Sequence, residues 1–409
     1  MLVNYFDRVN LTVSKDALHA SFGITPVTFG YLLGAYSWTY AACQLPVGLM
    51  LDKFGISRVG RVSSFLWSVA SFAAAAAGGV GGLFGARLLL GIGEAPTFPA
   101  NAKAIGYWFP VRERSFATST FDAAAKFASA VGVPVIGVIL LKAGWRWSFA
   151  LTGVVSFVYF LLFLRIYRDP EDDPELSATE YAYIRGDAQH STTLVVERES
   201  AHSMSFLYLL RQRKVLGLAL GFGSYNYVFY LLLGWLPTYL SSALHIDLLH
   251  SFLYTGVPWL FATATDLVIG GWLVDVLVQR GWSESRVRRV ILIGGTACGL
   301  GILGAANAHT AIRALIWISV SIGGLAAAAP VGWSIPSLIA PRRSVGAVGG
   351  IVNFSNQLSA IAAPIVTGYL VKANQSFAWA FGVSAAYLAI GIAGYIFLLG
   401  RIEPIPAEF

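Results

Sequence analysis

Several ionisable side chains of this sequence sit in otherwise apolar stretches, and their spacing limits what each can do. Asp7 and Arg8 are adjacent, Arg87 and Glu94 are seven residues apart, Asp122 precedes Lys126 by four, and Asp266 lies beside Thr263 and Thr265. On a helix, residues seven apart share one face two turns from each other. Arg87 and Glu94 therefore address one cavity without reaching each other along their own helix. Neighbouring residues point about 100° apart, so Asp7 and Arg8 cannot face one site equally. Asp122 and Lys126, acid first, make a favourable helical pair. Such groups offer recognition and charge movement. A guanidinium fork grips a carboxylate through two hydrogen bonds, and a carboxylate withdrawn from water becomes a proton carrier near neutral pH. Bond-making chemistry has no candidates, since the sequence holds no nucleophile set, metal cluster or cofactor motif. The six histidines lie mostly in loops or at segment ends, and Cys43 and Cys298 lie inside apolar runs. Neither set suggests a metal site or a disulfide. The chain reads as no enzyme, with no cofactor.

The elements that position these groups are long apolar segments. The chain has 409 residues, 56% hydrophobic and 12% charged, with a mean hydropathy of +0.66. A soluble domain carries about a quarter charged residues, so lipid is the expected solvent. About eleven runs are long enough to cross a bilayer, which takes ~20 apolar residues. They lie near 27–50, 61–79, 82–106, 115–141, 147–166, 214–240, 252–277, 290–307, 311–335, 345–371 and 377–400. Residues 1–18 hold Asp7, Arg8, Lys15 and Asp16, and by hydropathy alone they read as interfacial. The opening MLVNYFDRVN lacks the basic and apolar regions of a signal peptide. The net charge of +7 falls in short breaks between the runs, as in the loops of a membrane protein. That placement argues for a bilayer partner and against nucleic acid.

The order of landmarks divides the chain in two. Pro110, Pro134, Gly137, Trp147, Gly48 and Asp52 recur in kind as Pro341, Pro364, Gly368, Trp379, Gly271 and Asp275, all displaced by about 220 to 235 residues. Such a repeat is the mark of paired transporter bundles with a site between them. The expected organisation is a bundle over 1–166, a linker over 167–213, a second bundle over 214–401 and a tail over 402–409. The linker is polar, with Ser177 and Glu180 as a capping box, and 205–214 reads as a short amphipathic surface helix. Lys53, Arg58, Arg61, Arg112, Arg114, Arg280, Arg286, Arg288, Arg289, Arg342 and Arg343 fall in alternate breaks on the linker's side. The positive-inside rule then puts linker and C-terminus in the cytoplasm, and the protein in the cytoplasmic (inner) membrane.

Gly48-Leu49-Met50-Leu51-Asp52-Lys53-Phe54-Gly55-Ile56-Ser57-Arg58 resembles the loop signature of the major facilitator superfamily, G-x-x-x-D-[RK]-x-G-x-[RK]-[RK]. The copy in the second half is degraded, with Val276 in place of the base. Four further segments, Asn4-Tyr5-Phe6-Asp7-Arg8, Arg87 through Asn101, Trp108 through Arg114, and Tyr167-Arg168-Asp169-Pro170, resemble the anion:cation symporter branch. That branch includes permeases for galactonate, hexuronates and glucarate. The resemblance implies an all-α membrane protein of the major facilitator fold, about twelve helices in two pseudo-symmetric six-helix bundles. It also implies that N-Y-x-D-R lies midway along the first helix. Only three residues precede Asn4 here, so either that helix is truncated or the true start lies upstream.

By the same resemblance Arg8 faces a substrate carboxylate, Asp7 and Glu94 carry protons, and Tyr5, Tyr40, Trp333 and Asn353 line a sugar-acid site. Gly48, Asp52, Lys53, Gly55 and Arg58 form the gating loop. Arg87 joins the binding set, with interhelical pairing as its structural alternative. Lys126 reads either as half of a self-neutralised pair with Asp122 or as a second cation for a dicarboxylate. Asp122 and Lys126 in the fifth span stand where the family commonly has small or uncharged polar residues, and Asp266 in the eighth span is similarly unusual. The expected activity is import of a small organic anion with protons by a functional monomer; sodium stays open as the coupling ion, and efflux or facilitated passage of another metabolite is the alternative.

Overall fold

The computed structural model describes residues 1–110, 114–170, 172–184, 205–340 and 344–405. The Asp52 side chain, the side chains of Arg112, Arg114, Arg342 and Arg343, and part of the linker lie outside the described residues. Every element among the described residues is helical. The first half runs α1 Leu2–Val13, α2 Lys15–Phe22, α3 Pro26–Ala75, α4 Val80–Glu94, α5 Thr97–Trp108, α6 Arg114–Ala143 and α7 Trp145–Ile166. After the linker come α8 Phe206–Arg211, α9 Arg213–Thr238, α10 Leu248–Thr265, α11 Val274–Gln279, α12 Glu284–Gly299, α13 Ile302–Ala306, α14 Ala311–Ile339, α15 Val345–Asn374 and α16 Ala378–Ala393. Wider π turns continue α9, α10 and α16 over Tyr239–Ala243, Asp266–Leu273 and Gly394–Leu399.

Seven described helices are long and apolar enough on their own to cross a bilayer. The other spans are joined or broken. Helix α3 has 50 residues, which at ~1.5 Å per residue is more than twice a bilayer's hydrocarbon thickness. It folds back at Gly55, where φ is 78° and ψ 168°, so it holds two spans and the tight turn between them. At its start Pro26 occupies the first helical position and Thr25 accepts the Thr28 N–H, a proline-plus-cap signal. Pro96 separates α4 from α5 within the fourth span. With the span in α15 and the first in α1–α2, the chain forms twelve helices in two six-helix halves. Backbone geometry repeats between them: Gly55 and Gly281 share positive φ, as do Gly144 and Gln375.

The reading of residues 1–18 as interfacial is corrected. Asn4, Asp7, Arg8 and Asn10 are all buried, because α1 lies inside the first bundle against α6 and α7. Hydropathy missed this because the polar side chains face other polar groups, not lipid. Position in the bundle follows composition: 78% of the most apolar stretch of Arg213–Ala243 is buried, against 22% for Trp145–Ile166. The former is therefore central, and the latter turns Val158, Leu162 and Ile166 outward. In the linker, Glu180 N–H donates to Ser177 Oγ at 3.1 Å and opens the helix over 178–184.

The two halves meet most closely at the end away from the 48–58 loop. A β-carbon on Gly30 would lie 2.5 Å from the Pro364 carbonyl oxygen, and one on Gly368 would lie 2.5 Å from that of Pro26. Those contacts join α3 to α15. On the neighbouring seam a β-carbon on Gly256 of α10 would sit 2.6 Å from the Ala130 carbonyl of α6. Towards the loop the packing loosens. Gly349 and Gly350 meet nothing within 4 Å among the described residues, and α5 has no buried residue. The closest described contacts between the halves thus lie at the end away from the loop.

Candidate functional site

Helix α1 carries two adjacent charges to different neighbours. Asp7 turns to α3 and α7, where Ser71 Oγ donates to Oδ1 and Ser156 Oγ to Oδ2, each at 2.7 Å. Arg8 turns towards α4, where its Nε donates to Glu94 Oε2 at 2.9 Å. Arg8 is 5% exposed and Glu94 0%. A buried pair of this kind costs desolvation of both ions, and removing either partner costs about 3–5 kcal/mol. Further stabilisation of the cation comes from aromatic faces. The guanidinium carbon lies 4.6 Å from the Tyr5 ring centre, 4.5 Å from Tyr36 and 5.7 Å from Tyr40. A desolvated cation over a ring gains up to ~2 kcal/mol per contact.

Arg87 does not reach Glu94. Its Nη1 donates to the Asp7 main-chain carbonyl at 3.3 Å, and its guanidinium stands 5.7 Å from the Tyr36 ring centre. Tyr36 therefore lies between the two arginines. The second half contributes Tyr230 of α9, whose hydroxyl accepts from Arg8 Nη1 at 3.4 Å. A crevice between the halves is lined by Arg8, Arg87, Tyr36, Tyr230 and Pro364, among others. Five polar atoms here have no hydrogen-bond partner among the described residues: Arg8 Nη2, Arg87 Nε, Glu94 Oε1, Tyr36 OH and Thr12 Oγ1. Unused donors beside a buried carboxylate are what an incoming anion requires.

The remaining sequence candidates lie further along the seam. Asn353 Nδ2 on α15 donates to Gln44 Oε1 at 3.4 Å, and Gln44 is one helical turn beyond Tyr40 on α3. Trp333 is 38% exposed and packs edge-on against Phe222 at 4.9 Å, with no contact to the arginine cluster. Lys126 is held between Asp122 Oδ2 at 2.7 Å and Asp266 Oδ2 at 2.5 Å. Sequence reasoning did not single out Tyr36, Tyr230, Ser71, Ser156 or Gln44. An aromatic or serine in an apolar span carries no signal until its neighbours are known. In the loop, Gly55 makes the turn, Lys53 and Arg58 are exposed, and Gly48 faces open space. A β-carbon on Gly55 would meet Asp169 Oδ2 at 3.3 Å. The Tyr167-Arg168-Asp169-Pro170 segment therefore docks on the turn, with Tyr167 donating its hydroxyl hydrogen to Asp169 at 3.2 Å.

Residues 1–283 match the family model of the Major Facilitator Superfamily. The uncharacterised transporter YybO of Bacillus subtilis is 36% identical over 99% of this chain and 93% of its own length. A D-galactonate transporter of Escherichia coli is 31% identical over 98% of this chain and 94% of its own. Among solved structures, a bacterial homologue of the human lysosomal transporter Spinster, in an inward-facing conformation, superposes with a TM-score of 0.74. That match is 15% identical and covers 98% of this chain and 96% of the other; it concerns the fold alone. Together with the all-helical twelve-span architecture, these matches establish that the chain belongs to the Major Facilitator Superfamily and is a multi-pass membrane transporter, not an enzyme.

Proposed function

We propose that the chain imports a small organic anion, of the sugar-acid class, by symport with protons and alternating access in the cytoplasmic membrane. The observation that carries this reading is the buried Arg8–Glu94 pair where the halves meet. Arg8 keeps Nη2 free and lies among Tyr5, Tyr36, Tyr40 and Tyr230. These side chains suit a carboxylate followed by hydroxyls. A carboxylate arriving at Arg8 competes with Glu94 for the same cation. With Glu94 ionised, two buried anions share one guanidinium, and the second costs several kcal/mol. A proton on Glu94 removes the conflict, so anion and proton enter together. Asp7 is a second proton carrier, its carboxylate held by the Ser71 and Ser156 hydroxyls without an ion pair among the described residues, while Arg87 binds its main-chain carbonyl.

The D-galactonate transporter relative supports the substrate class. With linker and C-terminus cytoplasmic, the closely packed end of α3 and α15 faces outward. No cofactor takes part; the proton is the coupling ion, and a monomer suffices. The test is uptake of labelled galactonate into proteoliposomes. An inward proton gradient is expected to drive accumulation that a protonophore abolishes. Accumulation that follows a sodium gradient and ignores the protonophore would replace the proton by sodium. Absence of uptake for every sugar acid tried overturns the substrate class.

A further inference from the structure

Lys126 belongs to the first half and Asp266 to the second, and both are buried, at 2% and 0% exposed. Their contact of 2.5 Å is a buried ion pair across the halves. Asp122, one turn before Lys126 on α6, holds the same ammonium at 2.7 Å. One cation thus serves two carboxylates. The Asp266 contact is not a well-directed hydrogen bond, and neither Asp266 oxygen has one that is well directed among the described residues; the Asp122 carboxyl lies close enough to interact with it directly. Asp266 also sits where α10 widens into the π turn Asp266–Leu273, a local distortion that recurs at functional positions.

The pair lies on the α6–α10 seam, which is packed close at its outer end. Gly256 abuts the Ala130 carbonyl, and Gly137 abuts the Phe252 ring. An alternating transporter must part this seam. When it does, Lys126 leaves with Asp122 as a neutral pair on one helix. Asp266 is then left without a cation. The groups facing it are Lys126 and Asp122 of α6 and, beyond Lys126, Tyr225 of α9. Helix α14, which packs on its π turn, brings no nearby charge, since its single charged residue, Arg313, is in its first turn. An isolated carboxylate in such surroundings takes a proton instead of staying charged.

We propose that Asp266 is a third proton-carrying carboxylate of the transport cycle, ion-paired to Lys126 while α6 and α10 are together and protonated when they part. Asp122 is the positioning residue that keeps Lys126 neutralised through the exchange. The inference rests on the alternating-access reading above. It deepens that reading by adding a proton site on the α6–α10 seam, separate from the Arg8–Glu94 pair but joined to it through Tyr5, which interacts with Arg8 on one side and with Asp122 and Lys126 on the other.

The test uses the full chain in proteoliposomes with spin labels at Lys142 and Leu249. Both are exposed, at the outer ends of α6 and α10. In alkaline buffer the wild type is expected to show the short distance, and in acid a larger long-distance population. Asp266→Asn should show in alkaline buffer the long-distance population that the wild type reaches only in acid. Asp122→Asn should do the reverse, because a one-to-one Lys126–Asp266 pair is harder to part. If Asp266→Asn is not monodisperse, Lys126→Met with Asp266→Leu replaces the pair by apolar groups and should give the same alkaline opening. Alkaline distances that match the wild type in these variants overturn the proposal. The distances need no substrate, so labelled galactonate uptake in the same vesicles keeps the readings apart. Uptake with unchanged distances sinks Asp266 alone. Distances that shift as expected, without uptake of any sugar acid, sink the substrate reading alone.

Discussion

Arg8 is neutralised by Glu94 yet retains an unused Nη2 donor, and that combination sets what substitutions do. Arg8→Lys keeps the charge and loses the planar fork, which a point-charge ammonium cannot reproduce. Galactonate binding is expected to weaken by about 10- to 100-fold, equivalent to ~1.4–3 kcal/mol for charge-assisted hydrogen bonds. Calorimetry checks it, and affinity within a few-fold of wild type would give Arg8 a structural role. Glu94→Gln leaves Arg8 without its counter-ion but makes position 94 permanently neutral. It should abolish accumulation driven by a pH gradient while labelled-for-unlabelled exchange continues. Accumulation in response to pH in that variant would remove Glu94 from coupling. The charged residues of this site were legible in the sequence because ionisable groups in apolar spans are costly. Their pairing was not: Arg8 and Glu94 are 86 positions apart, and spacing within one helix says nothing about contacts between helices. Tyr36 and Tyr230 were invisible for a related reason, since aromatic residues in a membrane span are ordinary packing until a cation is found on their faces.

At the scale of elements, the seam between α3 and α15 is set by residues without side chains. Gly30 approaches the Pro364 carbonyl so closely that even a methyl group must displace one helix. Overpacking typically costs about 1–3 kcal/mol. On the alternating-access reading proposed above, the seam is closed in only one of two states, so Gly30→Ala is expected to shift population towards the state parted there by ~5- to 150-fold. Distance measurements between labels at Thr28 and Lys372, at the outer ends of these helices, check this. An unchanged distribution would mean that the seam absorbs the methyl group. The turn at Gly55 was legible, since the glycine-bearing loop between two apolar runs demanded a reversal. The repeat was also legible, and Gly281 shows the same positive φ as Gly55 although Val276 replaces the basic residue of the motif. The π turn at Asp266 was not, because no residue type in DLVIGGWL distinguishes it from a regular helix. The depth of α1 was misjudged by hydropathy, which counts the charges of Asp7 and Arg8 but not their partners.

Across the whole molecule, the buried charges favour one kind of cargo. Among the described residues, Arg8, Arg87 and Lys126 are the buried cations between the helices, facing Asp7, Glu94, Asp266 and the nearly buried Asp122. With every group ionised, three positive charges face four negative ones. An anion entering this interior adds to the excess of negative charge, which on the symport reading proposed above is offset by protons that enter with it. A neutral sugar meets no such requirement, but it leaves the unused guanidinium donors of Arg8 and Arg87 with weaker acceptors. Galactonate, the hexuronates and glucarate-like diacids are therefore expected to compete for uptake of labelled galactonate, and their uncharged parent sugars to fail. Competition by the acids should weaken as the outside is made alkaline, because fewer proton-carrying carboxylates are then loaded. Competition by diacids would further imply that Lys126 leaves one of its two carboxylates for the ligand. The measurement is inhibition by each acid and its parent sugar in matched buffers. Equal inhibition by acid and parent sugar, unchanged by pH, would mean that recognition runs through hydroxyls at Tyr5, Tyr40 and Asn353, and that the buried arginines serve the gate alone.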